Sequence, residues 1–233
     1  MIGEGVLVVD DDKEIADLVE IHLVSEGYNV HKTYSALEGL RILQTKDIKL
    51  VILDIMMPGM DGLTMCKKIR ETSTIPIIIL SAKSADLDKI VGLGAGADDY
   101  VIKPFNPLEL TARVKSQIRR YTEFNPNSMD NDKDKEVVLS HLTINKEIHK
   151  VIAYGKEVKL TPIEFDILFL LASKVGRVFS TDEIFERVWK EKMFEANNTV
   201  MVHIRRIREK IEMDPRNSKI IKTVWGVGYK IEE

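Results

Sequence analysis

The sequence predicts an α/β fold with a five-stranded, doubly wound parallel sheet in its first half and a smaller α+β domain in its second half. In the first half, short apolar runs rich in β-branched residues alternate with amphipathic stretches. This alternation is typical of buried parallel strands joined by helices through right-handed crossovers. After a polar stretch in the middle of the chain, short strands precede three helices and a final strand pair. Two domains are therefore expected.

Five strands are predicted in the first half, near residues 5–10, 28–33, 50–54, 76–81 and 98–103. The first helix should cover residues 13–26, with Asp12 as its N-cap and Gly27 after its C-terminus. Its apolar face is predicted to contain Ile15, Leu18, Val19, Ile21 and His22 or Leu23. The last helix, residues 107–120, repeats apolar residues at a spacing of four, namely Leu110, Val114 and Ile118.

Residues 123–135 are predicted to be a flexible linker. The segment is rich in Asn, Asp, Ser and Pro and has almost no apolar side chain to bury. The predicted domains are therefore residues 1–122 and residues 136–233.

The second domain is predicted to begin with short strands over residues 137–159, with a hairpin turn at Tyr154, Gly155 and Lys156. A helix-start pattern follows, in which Thr161 precedes Pro162 and Glu164 lies three residues after Thr161. This helix should continue to about Ser173. Its buried side chains are predicted to be Phe165, Ile167, Leu168, Leu170 and Leu171.

Two more helices and a terminal hairpin are predicted in this domain. One helix covers residues 181–189 and is capped by Ser180 or Thr181, and the other runs from Asn197 or Asn198 to about Glu212. Strands at residues 220–224 and 229–231 enclose a tight turn.

The composition is that of a folded protein, because 44% of the 233 residues are hydrophobic and both signs of charge are abundant. The one cysteine, Cys66, cannot form an internal disulfide, and no secretion signal opens the chain. We therefore expect a cytoplasmic protein in which Cys66 is buried. No apolar run approaches the roughly 20 residues that a membrane helix needs, so no membrane association is expected.

Positive charge is concentrated in the second domain. Residues 1–121 carry 15 Lys and Arg against 18 Asp and Glu, whereas residues 136–233 carry 17 against 15. Within residues 203–222 the balance is seven against three. Local concentration of positive charge is typical of nucleic-acid binding.

Residues suited to phosphate chemistry lie at the carboxyl ends of four of the predicted strands. They are Asp10, Asp11, Asp54, Ser81 and Lys103. In an open parallel sheet, ligands bind outside the carboxyl ends of the strands, so these side chains should converge. Each residue alone could be an ordinary solvated strand end, but their joint occurrence predicts a phosphoryl site. Three carboxylates repel one another, which indicates a bound cation such as Mg²⁺ or Mn²⁺.

Asp54 is the predicted covalent phosphate acceptor. It ends a strand, and the loop over residues 55–59 leaves its carboxylate accessible. Aspartyl phosphates are a recognised covalent form. The Ser81 hydroxyl can donate a hydrogen bond to a phosphoryl oxygen, and the Lys103 ammonium can pair with its charge.

On these motifs the chain resembles a bacterial two-component response regulator of the OmpR/PhoB family along nearly its whole length. The resemblance rests on Asp10–Asp11, Leu53–Gly59, Ser81–Ala82, Asp98–Tyr100 and Lys103–Phe105. It implies a CheY-like receiver domain and a winged helix-turn-helix DNA-binding domain. The ends of the chain look most similar to vancomycin-resistance regulators of Gram-positive bacteria.

The resemblance implies that a sensor histidine kinase phosphorylates Asp54. The implied metal ligands are Asp10, Asp11 and Asp54, and the implied phosphoryl contacts are Ser81 and Lys103. A cis peptide bond before Pro104 is implied as well. The protein would not be an enzyme beyond slow self-dephosphorylation.

The resemblance also implies a switch that couples phosphorylation to dimerisation. Ser81 would move toward the phosphoryl group and Tyr100 would turn inward, although Tyr100 could equally be an ordinary half-buried strand residue. The pairs implied across the homodimer are Lys89 with Glu109, Asp99 with Arg113, and Asp98 with Arg120. Exposed pairs of this kind contribute about 0–1 kcal/mol each, so they would set geometry more than affinity.

The third helix of the second domain is predicted to bind DNA. Its buried stripe should consist of Val200, Ile204, Ile207 and Ile211, and its opposite face of Val202, Arg205, Arg206 and Glu209 with Arg208 at the flank. An arginine face fits a major groove, and the alternative is an ordinary solvated face. The resemblance implies base contacts from Val202 and Arg206, and phosphate contacts from His203, Arg205 and Arg208.

The terminal hairpin would be a wing over the minor groove of promoter DNA, with sites arranged as direct repeats. Trp225 stands where some relatives have an arginine, and it would pack either against a sugar or against its own domain. Trp189 is predicted to lie in the core. The loop over residues 190–196 would contact RNA polymerase.

Two other functions fit part of the sequence. A dehalogenase-type phosphatase also has an aspartate nucleophile, Mg²⁺ and a parallel sheet, but its signature requires Thr or Val where this chain has Glu14. A regulator that dimerises constitutively, without phosphorylation, would leave the complete acidic site unexplained.

Overall fold

The computed structural model describes residues 3–83, 85–122, 136–190 and 198–232. The chain forms two compact units, residues 1–122 and residues 123–233. The predicted linker at residues 123–135 lies outside the described residues.

Strands and helices alternate strictly in the first unit. The strands are β1 (Gly5–Val9), β2 (Asn29–Thr33), β3 (Ile48–Asp54), β4 (Ile77–Ser81) and β5 (Asp99–Ile102). The helices are α1 (Lys13–Ser25), α2 (Ala36–Thr45), α3 (Gly62–Thr72), α4 (Asp86–Gly94) and α5 (Pro107–Thr122). All neighbouring strands are parallel, in the order β2-β1-β3-β4-β5. The predicted doubly wound sheet is confirmed.

The sheet is covered on both faces, which is why its central strands are apolar throughout. Alternate residues of β1, β3 and β4 pack with α1 and α5 in one core cluster. The other face meets α2 and α4, where Val9 lies beside Gly39 and Ile79 beside Gly92. Cys66 is buried, as predicted.

The inward face of α1 differs from the prediction. The buried residues are Ala16, Val19 and Leu23, whereas Ile21 is 65% exposed and Leu18 is also exposed. The helix therefore presents a narrower apolar stripe, at i, i+3 and i+7, to the sheet. The Asp12 cap is confirmed, because its Oδ1 accepts hydrogen bonds from the backbone N–H groups of Glu14 and Ile15.

The second unit is an α+β domain. Its strands are β6 (Glu136–Leu139), β7 (Leu142–Asn145), β8 (Lys150–Ala153), β9 (Lys156–Val158), β10 (Ile221–Val224) and β11 (Gly228–Ile231). Its helices are α6 (Pro162–Ala172), α7 (Thr181–Trp189) and α8 (Thr199–Ile211), followed by a 3₁₀ turn at Pro215–Asn217. The first four strands form an antiparallel sheet, and β10 and β11 form an antiparallel hairpin.

Local chemistry explains the connections in this unit. Tyr154 and Gly155 both have positive φ, at 49° and 74°, which makes the predicted turn between β8 and β9 a tight one. The Ser180 hydroxyl, rather than that of Thr181, caps α7 by accepting from the Glu183 N–H. Trp189 is buried, as predicted, and stacks on Phe185 with ring centroids 4.8 Å apart.

Across the described ranges, none of the helices has the length and apolar character that a membrane span requires.

Candidate functional site

Three carboxylates meet at the carboxyl end of the parallel sheet. Asp10 follows β1, Asp11 comes next, and Asp54 is the last residue of β3. Each offers an oxygen, and these oxygens all lie within 4.8 Å of one another. Asp10 and Asp54 are nearly buried and Asp11 is exposed, so the cluster opens to solvent on one side.

Lys103 lies directly beside this cluster. Its Nζ is 2.7 Å from Asp10 Oδ2 and 3.4 Å from Asp54 Oδ2. The peptide bond that follows, Lys103–Pro104, is cis, as the resemblance implies. The Lys103 N–H also donates to the Ser81 carbonyl at 2.8 Å. The four predicted strand ends therefore converge at one edge of the sheet.

Ser81 is the last residue of β4, the neighbour of β3. Asp54 stands opposite Leu80 in the register of the two strands, so Ser81 follows one position further. Its side chain is buried, and its Oγ accepts a hydrogen bond from the Lys83 N–H at 3.2 Å. Ser81 also has a side-chain hydrogen bond with Tyr100 on β5.

The electrostatics of the cluster favour a bound cation. Burial raises the pKa of Asp10 above its usual value, Lys103 opposes this shift, and the nearby charge of Asp54 adds to it. One lysine does not balance three carboxylates. An all-oxygen donor set of this kind suits Mg²⁺, which binds through a few carboxylates, waters and a phosphate.

Tyr100, in β5, connects this edge to α4. Its hydroxyl donates to the Lys83 carbonyl at 2.9 Å, and its ring lies against Gly92, where an added Cβ would be 3.0 Å from the ring. Burial raises the pKa of the Tyr100 phenol, and a hydrogen bond with Ser81 acts in the opposite direction. Tyr100 is therefore half-buried and close to Ser81.

The predicted dimer residues already have partners within the chain. Arg113 Nη1 is 2.9 Å from Asp99 Oδ2, and its Nη2 is 2.9 Å from Glu109 Oε1. Lys89 Nζ is 4.0 Å from Asp86 Oδ1, at the limit of an ion pair. Arg120 is largely buried, with Nη1 3.4 Å from Gln117 Oε1.

Asp98 departs from the prediction that it lies on an exposed dimer face. It is fully buried, and its Oδ2 accepts from Arg70 Nη2 at 2.6 Å and from the Ile77 N–H at 2.9 Å. Arg70 also donates to the carbonyls of Gly96 and Ile75. This arrangement ties α3 to the start of β4 and β5. No local sequence pattern marks Arg70, because its partner lies 28 residues away.

The predicted outer face of α8 is partly wrong. The buried stripe is as predicted, but Val202, His203 and Arg206 are also buried. Arg206 is 7% exposed, and its Nη2 lies 2.8 Å from Oε1 of the fully buried Glu164 on α6. The ring of His203 lies 5.5 Å from that of Trp189 on α7. Other helices therefore cover two flanks of α8.

The solvent-exposed line along α8 consists of Met201, Arg205 and Glu209. Arg205 Nε is 3.0 Å from Glu209 Oε1, and both side chains remain largely exposed. Met201, one turn before Arg205, is 46% exposed and was not among the residues predicted for this face. Its spacing of four from Arg205 is the signal that could have identified it.

Arg208 connects α8 to the terminal hairpin. Its Nη2 donates to the Ile221 carbonyl and to Thr223 Oγ1, both at 2.8 Å. Trp225, at the tip of that hairpin, is 90% exposed, so it does not pack against its own domain. Of the loop over residues 190–196, only Lys190 belongs to the described residues.

Comparison with known families matches both units. Residues 6–115 match the model for the response regulator receiver domain, and residues 155–231 match that for the C-terminal domain of transcriptional regulatory proteins. A receiver joined to this DNA-binding domain makes a phosphorylation-regulated transcription factor rather than a catalytic enzyme.

Relatives match over the whole chain. The regulatory protein VanRc of Enterococcus gallinarum is 50% identical over 232 residues, and VanR of Enterococcus faecium is 48% identical over 233, each match covering 100% of both chains. The crystal structure of DrrB, a Thermotoga maritima OmpR/PhoB homologue, is 34% identical with a TM-score of 0.50, covering 99% of this chain and 100% of that chain. The chain belongs to the OmpR/PhoB family of two-component response regulators.

Proposed function

We propose that a sensor histidine kinase phosphorylates Asp54 and that this modification drives homodimerisation and binding to promoter DNA. The observation that carries the proposal is the joint position of Asp10, Asp54 and Lys103 at one edge of the sheet. In the transfer, the N–P bond of a phosphohistidine breaks and a bond forms between phosphorus and a carboxylate oxygen of Asp54.

The neighbouring side chains have distinct roles in this proposal. Asp10, Asp11 and Asp54 would hold Mg²⁺ or Mn²⁺, which neutralises part of the negative charge of an incoming phosphoryl group. Lys103 pairs with a phosphoryl oxygen, and the Ser81 hydroxyl donates a hydrogen bond to another. Asp54 is thus a phosphoacceptor, and only slow self-dephosphorylation follows.

The signal leaves the site through Ser81 and Tyr100. A phosphoryl group gives the Ser81 hydroxyl a new acceptor, and Tyr100 then turns into the space that Ser81 leaves. This movement alters the face formed by α4, β5 and α5, which carries Lys89, Asp99, Glu109, Arg113 and Arg120. To form the dimer, Arg113 must break its ion pair with Asp99 of its own chain and form one with Asp99 of the second copy.

The second unit reads promoter DNA, and direct repeats suit two copies of the domain bound in tandem. The exposed arginine of α8, Arg205, supports contact with the major groove. The loop over residues 190–196 would contact RNA polymerase. We place this activity in the cytoplasm and infer that the target genes include glycopeptide resistance genes, on the similarity to vancomycin-resistance regulators.

Gel shift and light scattering test the switch on the full chain, with and without Mg²⁺ and beryllofluoride, which stands in for the phosphoryl group on Asp54. We expect beryllofluoride to produce a dimer and tighter DNA binding in the wild type and in Asp47→Ala, a control that removes an exposed carboxylate outside the site. Asp54→Ala should respond to neither addition. Equal mass and binding in every condition would instead establish a constitutive, phosphorylation-independent regulator.

A further inference from the structure

The open face of α8 is narrow, and it is not the face that the resemblance implies. Val202 and Arg206, the implied base contacts, are only 6% and 7% exposed. The Arg206 guanidinium is held by an ion pair to α6. Among the residues of α8, all of which the structure describes, the exposed side chains are those of Met201, Arg205 and Glu209. Base recognition by this helix therefore falls first to side chains on this exposed line.

Met201 lies in the first turn of α8, as its third residue, and is 46% exposed. Its neighbours Val200 and Val202 are buried, so Met201 is the large apolar side chain that α8 presents to solvent. When a recognition helix lies in a major groove, its N-terminal residues contact the base edges. Met201 therefore stands at the part of α8 where a base contact is expected.

The charges along the exposed line favour the same end of the helix. The N-terminus of α8 carries the positive end of the helix dipole, which attracts phosphates, whereas the exposed Glu209 carboxylate repels them. Arg205 lies between these two ends, with 79% of its side chain exposed and Nε 3.0 Å from Glu209 Oε1. DNA should therefore approach the first two turns of α8 most closely, where Met201 and Arg205 lie.

We propose that Met201 is a specificity-determining residue whose thioether side chain packs against the C5 methyl group of one thymine in the major groove. The proposal rests on the proposed DNA binding of the second unit and adds the base feature that α8 reads. Thymine is the one base whose major-groove edge carries an apolar group. A methionine side chain has only a weak acceptor and no donor, so it discriminates by apolar contact rather than by hydrogen bonds.

The contact is modest in strength and fixed in position. Burial of one methyl group should change the affinity about four-fold, which is the worth of about one buried CH₂ group. Methionine is unbranched and polarizable, so it can adapt its shape to the methyl group. Arg205, one turn later, lies about 6 Å further along the helix axis, nearly two base-pair steps of about 3.4 Å. The thymine should therefore recur at one position in every half-site.

Removal of the methyl group alone tests this contact. The full chain, with Mg²⁺ and beryllofluoride, first selects its sites from a pool of random duplexes. Each thymine of a selected site is then replaced singly by deoxyuridine, which keeps every hydrogen-bonding group and lacks only the methyl. We expect one replacement in each half-site to weaken wild-type binding about four-fold in gel shift. Met201→Ala should bind the original site at least as weakly and be insensitive to that replacement, whereas Met201→Leu should stay sensitive.

The protein and DNA changes together form a double-mutant cycle, which separates this contact from a general loss of affinity. Met213→Ala is the matched control, because Met213 is 78% exposed in the same unit but lies outside α8, and it should respond to deoxyuridine like the wild type. Equal sensitivity of Met201→Ala and the wild type, or a wild type insensitive at every thymine, would overturn the Met201 contact and leave the proposed function intact. Failure of the wild type to select any duplex would overturn both.

Discussion

Arg206 on α8 is bound to Glu164 on α6, with Nη2 2.8 Å from Oε1, and both side chains are removed from solvent. The second carboxylate oxygen accepts from Lys210 Nζ and from the Thr161 N–H. One buried carboxylate therefore joins the start of α6 to two successive turns of α8. For Arg206 to reach a base, it must leave Glu164, and Lys210 then remains as the counter-charge.

Glu164→Gln should strongly destabilise the second unit. Removing one partner of a buried ion pair leaves uncompensated charge, which costs about 3–5 kcal/mol. Urea unfolding followed by tryptophan fluorescence measures this loss, because both tryptophans lie in the second unit. Glu157→Gln, which removes an exposed pair with Lys150, should change stability by no more than about 1 kcal/mol. Equal effects of the two substitutions would contradict the structural role of Glu164.

The same carboxylate makes a pH-dependent contribution. Burial alone would raise the pKa of Glu164, but Arg206 and Lys210 outweigh it and hold the pKa below its usual 4.5. The stabilisation is therefore complete above about pH 4.5 and is lost as the pH falls through the lowered value. Urea midpoints measured from pH 6 downward should fall more steeply for the wild type than for Glu164→Gln.

Asp98→Asn should destabilise the receiver even where no dimer forms. The substitution leaves the Arg70 guanidinium beside a neutral group in a buried position, and about 3–5 kcal/mol is expected. Thermal unfolding by circular dichroism, paired with light scattering in beryllofluoride, separates stability from assembly. A variant that melts like the wild type but fails to dimerise would show that Asp98 acts mainly across the interface.

Mg²⁺ should stabilise the receiver through the carboxylate cluster. Binding to the folded state alone contributes about 2.7 kcal/mol at a free concentration of 100 times Kd. The melting temperature of the wild type should therefore rise with Mg²⁺, and the rise should shrink in Asp11→Asn, which removes the most exposed ligand. The control Asp47→Asn should keep the full rise. A rise of the same size in Asp11→Asn would exclude that residue as a ligand.

His149 should make the second unit sensitive to mild acid. Burial, aided by the charge of Lys146, lowers the pKa of His149 from 6.5 to about 4. The folded imidazole therefore stays neutral between those values while the unfolded one gains a proton, so stability falls as the pH drops from 6.5 to about 4. His149→Asn tolerates the same φ of 48° and should remove this loss in urea midpoints. His141→Asn, at an exposed position, should retain it.

The order of strands and helices and the acidic site could both be predicted from the sequence. Buried parallel strands are apolar along their length, so polar residues such as Asp54 and Ser81 mark where each strand ends. Because the strands are parallel, their carboxyl ends meet at one edge of the sheet, so the convergence of these residues follows from the predicted topology alone. The helix caps at Asp12 and Ser180 could also be predicted, because each cap accepts from a backbone N–H group no more than three residues away.

Only the tertiary structure decided which side chains outside the apolar stripe of a helix or strand are covered or paired by residues of another element. Periodicity predicted the buried stripe of α8, but helix packing on its flanks also covers His203 and Arg206. Asp98 likewise finds Arg70 across the fold, and Trp225 finds no cover at all. The physical reason is that a periodic pattern records one apolar face, whereas burial of a charged or aromatic side chain depends on partners distant in sequence.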